Sequence, residues 1–174
     1  MTEKLHLVCP HCRSINRVPA VRLAEQPNCG QCHASLFTGH PIALTAADFD
    51  LHAQRAEIPL VVDFWAPWCG PCRMMAPAYE QAAQMLEPQV RLAKVNTEEE
   101  QPLAARFGIS SIPTLVLLRG GRELGRQPGA LGLQDIVRWV RSKIRPVPSC
   151  VRTSFVSLFL FPSAFFSPPD SERS

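Results

Sequence analysis

Leu60-Val61-Val62-Asp63-Phe64-Trp65-Ala66-Pro67-Trp68-Cys69-Gly70-Pro71-Cys72-Arg73-Met74-Met75-Ala76 is the stretch from which the rest of the chain can be read. Its first six residues form an apolar run rich in β-branched side chains, the pattern of a strand buried on both faces. A short connection follows, and then Cys69 and Cys72 bracket Gly-Pro and open a helical pattern. Pro71 falls in the first turn of that helix, where a missing N–H costs nothing. Cys69 therefore stands at or just before a helix N-terminus. Unpaired N–H groups and the helix dipole favour an anion there. A thiol in that place loses its proton more easily, and the thiolate is the nucleophile. The spacing also brings the second sulfur within disulfide reach of the first. Asp63 is the one acid in the strand. Burial would raise its pKa and keep it available for proton transfer. The plainer alternatives are a hydrogen-bonded buried acid or a pair with Lys94.

Trp68-Cys69-Gly70-Pro71-Cys72, following Val-Asp-Phe-Trp-Ala, resembles the active site of thioredoxins. The resemblance continues through Ala93-Lys94-Val95-Asn96, Ile112-Pro113-Thr114 and Pro128-Gly129-Ala130-Leu131, in that family's order and spacing, over about residues 41–144. It implies an α/β thioredoxin fold, a central mixed sheet flanked by helices. It also implies a protein-disulfide reductase that exchanges electrons through a redox-active Cys69–Cys72 disulfide and serves cell redox homeostasis. Cys69 would attack, Cys72 would resolve, and Asp63 would assist deprotonation of Cys72 through water, with Lys94 at a position where the family also carries lysine. Trp65 would lie beneath the site and Trp68 on its exposed rim. Trp68, Gly70, Ile112, Pro113, Gly129 and Ala130 would form a flat groove for an extended peptide. Pro71 and the Gly-Pro dipeptide are those of the family's reducing members, and the Ile112–Pro113 bond is cis in the family. Disulfide-containing proteins are the implied substrates, and a thioredoxin reductase is the implied electron donor.

The chain opens with a second cysteine pattern: Cys9-Pro10-His11-Cys12, sixteen residues, then Cys29-Gly30-Gln31-Cys32. Two knuckles at this spacing supply four thiolates in a tetrahedron, the geometry of a structural zinc ribbon. This module makes the chain most similar to the zinc-carrying thioredoxins of bacteria. One Zn2+ is expected on Cys9, Cys12, Cys29 and Cys32, as a structural element or as a redox sensor under oxidative stress. Iron on the same sulfurs, a redox role for Cys9 and Cys12, and replacement of one cysteine by His11 or His33 are the alternatives. The segment 15–19 reads as too small and polar to build a core, so metal would supply the folding free energy. Gly30 is expected to ease the turn of its knuckle.

The 174 residues allow one α/β domain and a small module. With 46% hydrophobic and 19% charged residues the chain reads as globular rather than disordered. A net charge of +3 without a basic stripe gives no argument for nucleic acid. The expected division is a zinc-binding, four-cysteine module over 1–38, a thioredoxin domain over 39–145, and a Phe/Pro/Ser-rich, poorly ordered tail over 146–174 that contains Cys150. No apolar stretch approaches a membrane span, and no basic leader precedes an apolar core. A cytoplasmic monomer without membrane contact is therefore expected. Within the domain, helices are expected over 45–54, from Cys72 to Ala83 with Pro77 as a kink, over 103–107 and over 133–144, and strands over 90–96, 114–118 and 122–126. Met74, Met75 and Leu86 are expected in the core, and Glu98-Glu99-Glu100 as a solvated face.

Overall fold

The computed structural model describes residues 3–144, and the expectations for 146–174, Cys150 included, lie outside them. Two strands begin the chain, β1 (Lys4–Val8) and β2 (Ile15–Pro19), an antiparallel pair. Ala20–Glu25 forms a short 3-10 helix. The main sheet has five strands: β3 (Ile42–Ala43), β4 (Leu60–Trp65), β5 (Arg91–Asn96), β6 (Thr114–Arg119) and β7 (Arg122–Pro128). Their order is β3-β5-β4-β6-β7, with β4 central. β4 runs parallel to β5 and antiparallel to β6, which makes the sheet mixed. The β6–β7 turn is Gly120-Gly121, with φ of 56° and 77°. Two left-handed residues give a two-residue hairpin the twist its strands need, and glycine enters that region without strain.

Alternation along β4 divides the core. Val61 packs with Met75, Tyr79, Leu92 and Leu115 beneath α2 (Gly70–Leu86) and α4 (Leu133–Ile144). Leu60, Val62 and Phe64 pack on the opposite face with Phe49 and Leu103, beneath α1 (Ala46–Arg55) and α3 (Gln101–Arg106). Asp63 shares the face of Val61, turned toward α2. Tyr79 ties that helix to the sheet: its hydroxyl is shared between the carbonyls of Val61 at 3.0 Å and Ala93 at 2.9 Å. α2 continues to Leu86, with Pro77 in its interior. Thr45 precedes α1 but makes no side-chain cap; its hydroxyl donates instead to Asp48 Oδ2 at 3.1 Å.

The N-terminal module does possess a core, contrary to the reading of its composition. Leu7, Val8, Val18, Leu36 and Phe37 are buried together with Ala56 and Ile58, which follow α1. The main domain therefore supplies apolar surface that the module lacks. Polar groups fasten the same junction. Glu57 N donates to His6 O at 3.0 Å, Gly39 N donates to Glu87 Oε2 at 2.7 Å, and Arg13 pairs with Asp48. Arg91, only 3% exposed, donates to Leu36 O and pairs with Glu87 at 3.1 Å. Its guanidinium also lies over the Phe37 ring, 5.1 Å from the centroid. Nearby His52 is buried, and desolvation pushes its pKa down to about 4, so it stays neutral at pH 7.

The buried ion pair dictates an outcome. Arg91→Met strands the Glu87 carboxylate without its cation and should lower stability in urea unfolding by about 3 kcal/mol. Adding Glu87→Gln to that variant should restore much of the loss, because no uncompensated buried charge remains.

Candidate functional site

Six of the seven cysteines build two sulfur centres. The first lies where β4 ends and α2 begins. Cys69 is the N-cap of α2, and its Sγ accepts the Cys72 backbone N–H at 3.2 Å. An N-cap normally uses a side-chain oxygen for this task; here a sulfur takes the place. Cys69 and Cys72 are joined in a disulfide, with Cα atoms 5.3 Å apart. Both are nearly buried, at 4% and 3% exposure, against Ala66 with Trp65 and Ile112 alongside. Pro71 occupies the first turn, as its missing N–H allows.

Around the pair the surface is apolar and open. Cys69 Sγ lies 3.8 Å from the carbonyl oxygen of Ile112. Pro113 follows a cis peptide bond and is buried, and its carbonyl accepts Gly129 N–H at 2.8 Å. This bond brings Gly129 (φ 90°) and the exposed Ala130 into the loop beside Pro113. Gly70 is half-buried, and nothing lies within 4 Å of where its Cβ would be. Trp68 is 66% exposed, and its indole N–H donates to Glu98 Oε1 at 2.9 Å. Glu98 is thus the partner of an exposed aromatic ring rather than part of an idle solvated face. Glu100 likewise accepts the backbone N–H of Ala46 at the start of α1. Met74 is 82% exposed, which corrects its expected place in the core. Helical periodicity carries the signal: Cys72 and Met75 both point inward three residues apart, so Met74 points out.

Asp63 is 1% exposed, and its Oδ1 has no hydrogen-bond partner. Burial pushes its pKa up to about 7, against the opposing pull of the Lys94 ammonium. Lys94 is the register partner of Asp63 on β5, yet its Nζ pairs with Glu80 at 3.8 Å and sits over the Trp65 ring, 5.3 Å from the centroid.

The second centre is the N-terminal module. The Sγ atoms of Cys9, Cys12, Cys29 and Cys32 all lie within 4.8 Å of one another, with Cys9–Cys32 and Cys12–Cys29 each at 3.6 Å. A tetrahedral ion roughly 2.3 Å from each thiolate requires sulfurs about 3.8 Å apart, so the donor set fits a metal of the zinc kind. The knuckles repeat one another. Cys9 N bonds to Ser14 O at 2.9 Å and Cys29 N to Ala34 O at 2.8 Å; His11 N and Gln31 N each donate to a cysteine sulfur at 3.4 Å. The left-handed residues are Arg13 (φ 64°) and His33 (φ 61°), after the second cysteine of each knuckle. Gly30 is not among them; its N–H donates to Asn16 Oδ1 at 2.9 Å. His11 and His33 are exposed and stand outside the sulfur cluster.

The Thioredoxin family model matches residues 40–142, and the model described as Thioredoxin 2, N-terminal, matches residues 8–34. The chain belongs to the thioredoxin family. Thioredoxin C-3 of Corynebacterium nephridii is 42% identical over 139 residues, spanning 80% of this chain and 95% of that relative. The thioredoxin of Haemophilus influenzae is 39% identical over 98 residues, spanning 56% of this chain and 92% of its own. A thioredoxin variant from Halobacterium salinarum has a similar structure, with a TM-score of 0.58 at 27% identity, covering 64% of this chain and 97% of that one. Like its family, this thioredoxin is a thiol–disulfide oxidoreductase that reduces protein disulfides. Its N-terminal cysteine cluster is suited to holding a metal ion. Among the described residues no helix is long and apolar enough to cross a membrane.

The raised pKa of Asp63 fixes the sign of a pH effect. The native acid holds its proton to about pH 7, whereas the unfolded acid releases it near 3.8. Between these values the native state binds more protons, so this group's contribution to stability falls as pH rises. Asp63→Asn should therefore be more stable than the parent at pH 8, by roughly 2–4 kcal/mol. Denaturation at a series of pH values should show the gap closing toward pH 4.

Proposed function

We propose that Cys69 is the attacking nucleophile and Cys72 the resolving thiol of this reductase. The observation that carries the reading is the N-cap sulfur, which lies at the positive end of α2 beside an open apolar surface. In the dithiol state the same N–H groups would stabilise a Cys69 thiolate. That thiolate attacks one sulfur of a substrate disulfide, and the other sulfur leaves as a thiolate and takes up a proton. Cys72 then gives its proton to Asp63, through water, and attacks Cys69 Sγ. The second substrate sulfur leaves, and the proton held by Asp63 is returned to it through solvent. The substrate has gained two electrons and two protons, and the chain is left as the Cys69–Cys72 disulfide. Asp63 suits this exchange because its pKa of about 7 lets it both accept and release a proton near neutrality.

Trp68, Gly70, Ile112, Pro113, Gly129 and Ala130 form the substrate groove in this reading. Gly129, Ala130 and Ile112 offer backbone groups to an extended peptide, with little demand on its side chains. Trp68 is steadied by Glu98, Pro71 shapes the turn, and Lys94 tunes the acid. Cys9, Cys12, Cys29 and Cys32 hold one Zn2+, which cross-links the two knuckles; their near-tetrahedral sulfur spacing supports this. The division is a metal module over 1–38, a redox domain over 39–145 and an appended segment over 146–174. A thioredoxin reductase returns the electrons, and the protein works as a cytoplasmic monomer.

In a reductase-coupled insulin assay, Cys69→Ser should abolish turnover, and Cys72→Ser should accumulate a mixed disulfide with substrate. Turnover that survives Cys69→Ser would overturn the assignment. Metal analysis of freshly purified, reduced chain should find one zinc per molecule; no metal, or iron in its place, would overturn the zinc reading.

A further inference from the structure

Lys94 stands between two carboxyl groups. Across the sheet it is the register partner of Asp63. On the helix side its Nζ lies 3.8 Å from Glu80 Oε1. The other oxygen, Glu80 Oε2, lies 3.1 Å from His40 Nδ1. His40 immediately precedes Pro41, where the chain passes from the N-terminal module toward β3. Three residues from three segments thus form a line from the module junction, through α2, to the strand beside the buried acid.

The surroundings of Asp63 make that line consequential. From β5 it faces the Lys94 ammonium, from α2 the Tyr79 hydroxyl, and from β6 its register partner Leu115. The Tyr79 hydroxyl is neutral and engaged by the carbonyls of Val61 and Ala93. Lys94 is therefore the one cation acting on Asp63, and it makes no ion pair with that acid among the described residues. Among the described residues Glu80 forms ion pairs with Lys94 and His40, and its charge also acts on the buried Tyr79 hydroxyl.

We propose that Glu80, steadied by His40, is a positioning residue for the buried acid: it draws the Lys94 ammonium toward the surface of α2 and so sets how much of its positive field reaches Asp63. The proposal rests on the reading of Asp63 as the proton acceptor, and it adds the residues that adjust that acceptor. Glu80 acts through Lys94, not on substrate.

The test is a carbon-13 NMR titration of the Asp63 carboxyl in the full chain, in its disulfide form, where neither Cys69 nor Cys72 titrates. Glu80→Gln returns the whole Lys94 charge to Asp63 and should lower the titration midpoint by about half a pH unit, the size a partly exposed ion pair supports. Lys94→Met removes the cation and should raise it. In the Lys94→Met background, Glu80→Gln should have little further effect, because its route is gone. His40→Ala leaves Glu80 charged but loose and should give a smaller fall; a rise would overturn the anchoring by His40. An unmoved midpoint in Glu80→Gln, or an equal shift with and without Lys94, would overturn the proposal. Failure of the underlying reading looks different: the pH profile of insulin reduction would be the same in Asp63→Asn as in the parent, whatever the NMR midpoints do.

Discussion

One backbone N–H, that of Cys72, bonds to the sulfur of Cys69 at 3.2 Å and joins the helix to its chemistry. Everything that makes Cys69 useful follows from where α2 begins. The central strand β4 delivers the chain to its own C-terminal end, Ala66-Pro67-Trp68 turns it, and the first turn of α2 has donors without intrahelical acceptors. A sulfur is the side chain that meets them. The same position that caps the helix in the disulfide state favours an anion in the dithiol state. Structure and reactivity share a single interaction, so neither could be altered without the other.

The sheet supports this arrangement by placing an acid where water does not reach it. Asp63 takes the face that α2 covers, between Val61 and Trp65, and its carboxyl is left with an unpartnered oxygen. Such a group lowers stability at neutral pH, because the unfolded chain would solvate the charge. The rest of the fold offsets that loss with a well-filled core on both faces of β4 and with the Tyr79 bridge to two strands. The N-terminal module adds to this fold from outside. Its sulfur cluster draws its hydrogen bonds from within the module, from His11, Ser14, Asn16 and Gln31, and shares no partner with the Cys69–Cys72 pair among the described residues. Its apolar residues and the Arg91–Glu87 pair bind it to the domain.

Much of this was legible in the sequence because its signals are local. The run from Leu60 to Ala76 announces strand, turn and helix N-terminus in order, and the Gly120-Gly121 pair announces the hairpin. The two cysteine knuckles give a metal-ligand spacing directly. What the sequence did not disclose depends on contacts between distant segments. Phe37 and Ile58 do not read as one cluster, since about twenty residues separate them, and only the folded chain shows the module resting on the domain. Glu98 looks like one of three solvated acids until the Trp68 indole is found 2.9 Å away. Lys94 looks like the partner of Asp63 by register, but its long side chain reaches Glu80. Met74 is an exception: its expected place in the core is wrong, although helical spacing from Cys72 and Met75 sets it on the outer face of α2.

The central claim is that the start of a helix makes one thiol acidic. Ultraviolet absorbance of the thiolate, followed against pH in the reduced chain and in Cys72→Ser, measures it directly. The account predicts that Cys69 ionises at least one pH unit below the value of about 8.5 for a free cysteine. A midpoint at or above that value would contradict it, whatever the rate of disulfide exchange.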